Sequence, residues 1–205
     1  MKLLDFDCLP EGAELESLQL SQVVVEDTSG LGRLQVCQPL AITHGELSGI
    51  DAALSNVRVD SIMLRQQSIP RDLVVPDTVK ILTIDGGAVE DLDFLGSGIR
   101  RLHVINCEHL RGVARLRELG ELKEVLLSGC GNVNDITGLR NLSGAMIYLD
   151  HHLYETNRVS LGPNYDFLIK DTRQEPASDG YYVRQFCQEN GREGTISRPG
   201  THQMS

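Results

Sequence analysis

Large rings are scarce in this chain of 205 residues: it has no Trp, and five Tyr with four Phe make only 4% aromatic. A core anchored on stacked rings is therefore excluded, and one built from Leu, Ile and Val is expected. No CxxC pair occurs among the five cysteines (8, 37, 107, 130 and 187), so the spacing of a structural zinc site is missing. There is no GxxxxGK phosphate loop; Asp85-Gly86-Gly87 reads only as a turn. No apolar run approaches the ~18 residues that span a bilayer. Asp5, Asp7 and Glu11 break any apolar run at the start, so no secretory leader is expected. Positive charge is in deficit, at a formal net charge of −10. Lys and Arg do not gather in runs, which argues against broad binding to nucleic acid or to an anionic membrane surface.

What the chain does have is a recurring pattern, clearest from Leu122 to Leu142. Apolar residues fall at 122, 125 and 127, then Cys130, then 133, 136, 139 and 142. The first part reads as a short strand. The three-residue steps suit a loop and a helical or 3₁₀ return. A template with apolar residues at positions 1, 4 and 6 also matches Leu15/Leu18/Leu20, Leu31/Leu34/Val36, Leu54/Val57/Val59, Val79/Leu82/Ile84 and Ile99/Leu102/Val104. A degenerate copy follows at Gly144/Ile147/Leu149. Successive starts differ by 16, 23, 25, 20, 23 and 22 residues. The stretch Leu110–Leu122, apolar at 110, 113, 116 and 119 with Gly120 as a stop, predicts a helix. Pro70 and Pro76 keep Leu73-Val74-Val75 extended.

These features divide the chain into an N-terminal cap (1–14), a repeat region (15–150), a C-terminal cap (151–170) and a weakly ordered tail (171–205). Leu3, Leu4 and Phe6 would cover the first repeat, as an end with a bare apolar face requires. Tyr181-Tyr182-Val183 reads as a short strand within the tail. Cys107 and Cys130 occupy equivalent positions, where a small buried thiol fits. Reduced thiols point to an intracellular, cytoplasmic setting, with a secreted effector as the alternative.

The pattern resembles the leucine-rich repeat superfamily. Cys107 and Cys130 match its cysteine-containing subtype. Val133-Asn134-Asp135-Ile136-Thr137-Gly138-Leu139 resembles the subtype found in phosphatase regulators and internalins. The resemblance covers roughly residues 54–150. It implies an α/β solenoid with a curved parallel sheet on the concave side and short or irregular convex segments. It also implies a non-enzymatic module that binds a protein partner on the concave face. The alternatives are a regulatory or effector subunit that positions a phosphatase or ubiquitin ligase, and a purely structural scaffold.

In such a strand, positions 1, 4 and 6 face the core, position 5 points out on the concave face, and positions 2, 3, 7 and 8 surround it. The outward columns supply the candidate partner-binding residues: Arg58, Asp60, Ile81, Asp85, Arg101, His103, Ile105, Glu124, Leu126, Met146, Tyr148 and Asp150. An exposed apolar patch with an Arg and a Tyr fits an interface, and the competing reading is simple tolerance of exposure on a two-sided sheet. Asp150-His151-His152 carries ligand-type side chains, but adjacent residues in a strand point to opposite faces, so no metal or other cofactor is expected. Ser128 and Cys130 lack an adjacent base, so no catalytic site is expected.

Overall fold

The computed structural model describes residues 2–3, 6, 10–22, 24–25, 27, 29–36, 39–44, 46–47, 54, 58–66, 73–142, 144–161 and 182–185. Stretches such as Ile81–Asp85 and Arg101–Ile105 alternate between part-exposed and buried side chains, as a strand with one covered face demands. The strands in chain order are β1 (Lys2–Leu3), β2 (Glu14–Leu15), β3 (Leu18–Ser21), β4 (Val24–Val25), β5 (Gln35–Val36), β6 (Leu40–Thr43), β7 (Glu46–Leu47), β8 (Arg58–Val59), β9 (Ser61–Arg65), β10 (Ile81–Asp85), β11 (Arg101–Ile105), β12 (Glu124–Ser128), β13 (Met146–Leu149) and β14 (Tyr182–Gln185).

Seven of these, β3, β6 and β9 to β13, form one open parallel sheet in chain order, and β14 joins β13 antiparallel at its end. Two narrow parallel ribbons, β1-β4-β7 and β2-β5-β8, accompany only the first part of the sheet. Helix is sparse among the described residues: three 3₁₀ turns (Ser29–Arg33, Ala114–Glu118 and Thr137–Asn141), the α-helix His151–Leu161 and the helical Leu54.

The register aligns Leu18, Leu40, Ile62, Leu82, Leu102, Val125 and Ile147, at spacings of 22, 22, 20, 20, 23 and 22 residues. The template is therefore in register from Val79 onward and at Leu18, but out of register at Leu34. Leu34 follows a 3₁₀ turn and leads into a side ribbon, donating its N–H to the Leu31 carbonyl at 3.0 Å. Val57 lies outside the described residues, and Val59 belongs to β8. The ribbons carry apolar residues of their own, Val59 buried among them, and so produce a competing match to the same template.

Residues 110–122 correct the helix prediction. Only Ala114–Glu118 is helical, and it is 3₁₀. The reason is the step of three. Leu110, Val113, Leu116, Leu119 and Leu122 are all buried, and a helix of 3.0 residues per turn lines them up where 3.6 would rotate them apart. The N–H of Leu110, Leu116, Leu119 and Leu122 each donates to the carbonyl three residues earlier, at 3.0 to 3.2 Å. The same holds for Val133, Leu139 and Leu142. The thiol of Cys130 continues the theme, donating to the Val104 carbonyl of the preceding segment at 3.6 Å, and that of Cys107 reaches the Gly86 carbonyl at the same distance. The hydrogen bond with Cys130 and burial together push the Cys107 thiol well above its ordinary range.

Close approach between returns depends on glycine. A Cβ on Gly138 would lie 2.1 Å from the Val113 carbonyl oxygen, and one on Gly98 would lie 1.8 Å from that of Asp77. Each strand of the main sheet from β3 to β12 ends in a left-handed residue: Gln22, His44, Gln66, Gly86, Asn106 and Gly129, at φ between 49° and 73°. The first five donate their N–H to the carbonyl at the end of the next strand, at 2.7 to 3.1 Å. At Gly129 the acceptor is instead the Asp150 carboxylate, at 2.7 Å.

Phe6 is buried; Leu4 lies outside the described residues. The α-helix after Asp150 buries Leu153, and Asn157 donates from Nδ2 to the Val133 and Leu153 carbonyls at 3.1 Å each. The strand read at 181–183 is present as Tyr182–Gln185. Tyr181 and the rest of the tail from 162 lie outside the described residues.

Candidate functional site

Alternation leaves three columns of side chains on the outward face of the main sheet. The first runs Ser61, Ile81, Arg101, Glu124, Met146; the second runs Met63, Thr83, His103, Leu126, Tyr148; the third runs Arg65, Asp85, Ile105, Ser128. Ile81, Asp85, Arg101, His103, Ile105, Glu124, Met146 and Tyr148 stand where the sequence placed them.

Three corrections follow. Arg58 and Asp60 are off these columns: Arg58 lies in β8 opposite Gln35, and the Asp60 carbonyl accepts the N–H of Lys80 and Ile81. The register error in this segment displaced them, and Met63 and Arg65 occupy the positions instead. Leu126 is in its column, between His103 and Tyr148, but only 6% exposed. Asp150 is engaged by backbone. One oxygen accepts the Gly129 N–H, and the other caps the α-helix by accepting the Leu153 N–H at 2.8 Å. His151 and His152 open that helix, so the strand geometry used to separate them does not apply. Among the described residues no group of three or more His, Cys, Asp or Glu side chains is placed to hold a metal ion.

At the centre of the face, Glu124 ties two columns together. Its Oε2 takes Arg101 Nε at 3.0 Å and its Oε1 lies 2.8 Å from His103 Nε2. Glu124 exposes 17% of its side chain where Arg101 exposes 49%, so the guanidinium is presented and the carboxylate is partly covered. Burial pushes the Tyr148 phenol above its usual range, with Glu124 adding to the effect and Arg101 opposing it. Tyr148 also donates to the Met146 sulfur at 3.7 Å. Toward the other edge, Asp85 accepts from Asn106 Nδ2 at 3.1 Å and pairs with Arg65 at 3.0 Å, and again the carboxylate, at 25% exposed, lies under a guanidinium at 49%.

A fourth column stands at position 2 of the pattern, whose cations the sequence reading did not single out. Asp60, Lys80, Arg100 and Lys123 precede β9, β10, β11 and β12 by one residue and stack in register, one carboxylate beside three cations. The Lys80 carbonyl accepts the N–H of Arg100 and Arg101, and the Arg100 carbonyl accepts those of Lys123 and Glu124, all at 2.8 to 3.1 Å. Cations 20 and 23 residues apart in sequence thus stand one strand spacing apart, about 4.8 Å. A search for basic runs cannot see this; reading the residue before each strand as a column can.

On the return side, a depression of about 350 Å³ is lined by Glu90, Asp91, Asp93, Arg111 and Arg115 among others. Its charges are mixed, and Arg115 is already held by Glu118 and the Leu95 carbonyl.

No helix among the described residues is long and apolar enough to cross a membrane. No family model, curated protein or solved structure matches this chain.

Proposed function

We propose that this chain is a leucine-rich-repeat-type solenoid, and that the outward face of its main sheet is the concave surface on which a partner protein docks. The observation that carries the reading is a mixed patch on adjacent strands. Ile81, Ile105, Met146 and Tyr148 remain partly exposed around the Arg101–Glu124–His103 network. Aromatic, Met and Arg side chains of this kind are the common anchors of protein interfaces. The regular succession of strands at 20 to 23 residues, each next to its predecessor, supports the solenoid. The module is non-enzymatic in this reading. Its described thiols, Cys107 and Cys130, are buried and directed at backbone carbonyls, and the His103–Glu124 contact is tied down by Arg101.

The test compares the wild-type chain with the Arg101→Ala/Tyr148→Ala double variant. Affinity capture from the native extract identifies a retained protein, and calorimetry with that purified protein then measures binding. The double variant is expected to melt within a few degrees of wild type and to bind about tenfold more weakly or worse. Equal affinity would show that the partner docks elsewhere.

A further inference from the structure

Cys107 and Cys130 are the two cysteines among the described residues, and the fold stacks them. Each stands two residues past the end of its strand, β11 or β12. Ile105 pairs with Ser128, and the Asn106 N–H donates to the Ser128 carbonyl at 2.8 Å. The register thus carries the two cysteines one strand spacing apart, about 4.8 Å. Both side chains are fully buried. The Cys130 thiol leans toward the segment of Cys107, where it meets the Val104 carbonyl at 3.6 Å. The sulfurs also share a hydrogen bond. Contact with Cys107 holds the Cys130 thiol below its ordinary range against the opposing effect of burial, while the Cys107 thiol is raised. Cys130 is therefore the sulfur that ionises first, and the thiolate is the reactive form. The covering over the pair is thin: Asn106, Glu108, Gly129 and Gly131, their neighbours in the chain, are all exposed.

We propose that Cys107 and Cys130 are a peroxide-sensitive dithiol that closes to a reversible disulfide, stapling the segments of β11 and β12 together. The spacing permits it, since the Cα atoms of a disulfide stand about 4.4–6.8 Å apart and one strand spacing falls inside that range. The Cβ atoms must draw in to about 3.8 Å. The turn around Cys130 has room to move: a Cβ on Gly131 would meet nothing closer than His152 at 3.9 Å. The chemistry is a two-electron oxidation by hydrogen peroxide. The Cys130 thiolate attacks the O–O bond, keeps one oxygen as a sulfenic acid and releases the other as water. The Cys107 sulfur then attacks the sulfenic sulfur, forms the S–S bond and expels a second water that carries away its proton. Two thiols and one peroxide thus become one disulfide and two waters. A small oxidant suits the site, because a shift of the exposed turns admits it where a bulky reagent is held off. The bond joins residues 23 apart in sequence, and such a closure restricts the unfolded chain. It also ties together the two strands that carry Arg101, His103 and Glu124.

The test treats the full chain with hydrogen peroxide under native conditions, with a parallel sample oxidised in denaturant. Remaining thiols are alkylated, and the unreduced digests are mapped by mass spectrometry. A linked Cys107–Cys130 peptide is expected as the main product of the folded chain, within a monomer and reversed by dithiothreitol. The oxidised chain is expected to melt several degrees higher than the reduced one. Cys107→Ser should leave a sulfenic acid at Cys130 that dimedone labels, whereas Cys130→Ser should leave Cys107 unlabelled. Equal labelling of Cys107 in the second variant would overturn the assignment of Cys130 as the attacking sulfur. The proposal as a whole is overturned if both sulfurs remain thiols after peroxide, if links to Cys8, Cys37 or Cys187 predominate, or if the folded chain pairs its cysteines no more selectively than the denatured one. Mapping of the unsubstituted chain decides these outcomes even where a serine variant fails to fold.

Discussion

Residues 10–66 and 73–150 build the same sheet in two different ways. Both lay down parallel strands in order, and in both the main-sheet strands up to β12 are followed by a left-handed residue whose N–H bonds to the end of the next strand or, at Gly129, to the Asp150 carboxylate. In the first region the chain returns through extra two-residue strands, β2, β5 and β8 on one side and β4 and β7 on the other. In the second it returns through loops stepped in threes, with two 3₁₀ turns packed on each other and glycines at their closest approaches. The left-handed positions differ as well: Gln22, His44 and Gln66 in the first, then Gly86, Asn106 and Gly129 in the second. The sheet thus fixes the spacing and the turn, while the route between strands is free to change.

The sharpest way to probe that difference is to charge the stepped core. Cys130→Asp places a carboxylate where the thiol is fully buried, and is expected to cost about 4 kcal/mol or more. Hydrogen exchange should quicken first in β11 to β13, with β3 and β6 affected least, since each strand bonds only to its neighbours. Equal acceleration across the sheet would show that the two regions unfold as one. Unchanged melting would show that Cys130 is not in the core.

A smaller effect separates the return routes. Gly138→Ala drives a methyl group into the Val113 carbonyl and is expected to destabilise by about 1–3 kcal/mol. Gly120→Ala, with open space around it, should change stability by less than about 1 kcal/mol. Similar thermal shifts for the two would mean that tight approach does not hold the stepped returns together.

The smallest expected effect belongs to the first region. Gln66 sits at φ 49°, a conformation that costs an L-residue about 1–2 kcal/mol, so Gln66→Gly should stabilise by roughly 0.5–1 kcal/mol once glycine's greater entropy loss is deducted. Chemical denaturation measures it. A loss of stability would show that the glutamine side chain contributes more than its backbone costs.

This contrast also explains how far the residues alone could be read. From Val79 to Leu149 each segment carries one strand and one set of apolar steps, so a single template has a single solution. Before Asp60 the ribbons compete: Leu31/Leu34/Val36 satisfies the template without belonging to the main sheet, and the true alternation at Leu40-Ala41-Ile42 is shorter and easier to pass over. The three-step pattern within 130–142 suits 3₁₀, and the same spacing over 110–122 also fits one face of a helix with a wider turn, so spacing alone does not separate the two. Most of the outward columns were legible because strand alternation alone sets them. Arg58 and Asp60 were misplaced by register. Leu126 is buried although its column faces out, and its neighbours across strands, His103 and Tyr148, are invisible in one dimension. Asp150 was misjudged because its bonds go to Gly129 and Leu153, a contact that exists only once the chain has turned into the helix. The column of Asp60, Lys80, Arg100 and Lys123 escaped for the same reason, since its members meet only across strands.

Asp150 carries a consequence for how such a chain can lengthen. At every earlier position the turn after a strand is received by the main chain of the next strand, so any segment can receive any other. Here a side chain performs that reception and starts the α-helix in the same act. A duplicated segment inserted before β13 would find matching carbonyls on both sides. One inserted after Leu149 would part Asp150 from Gly129 and strip both groups of their partners. Growth by duplication is therefore open in the interior of this protein and closed at this end, and a designer adding length should splice upstream of residue 146 and carry the aspartate and its helix along as the terminus.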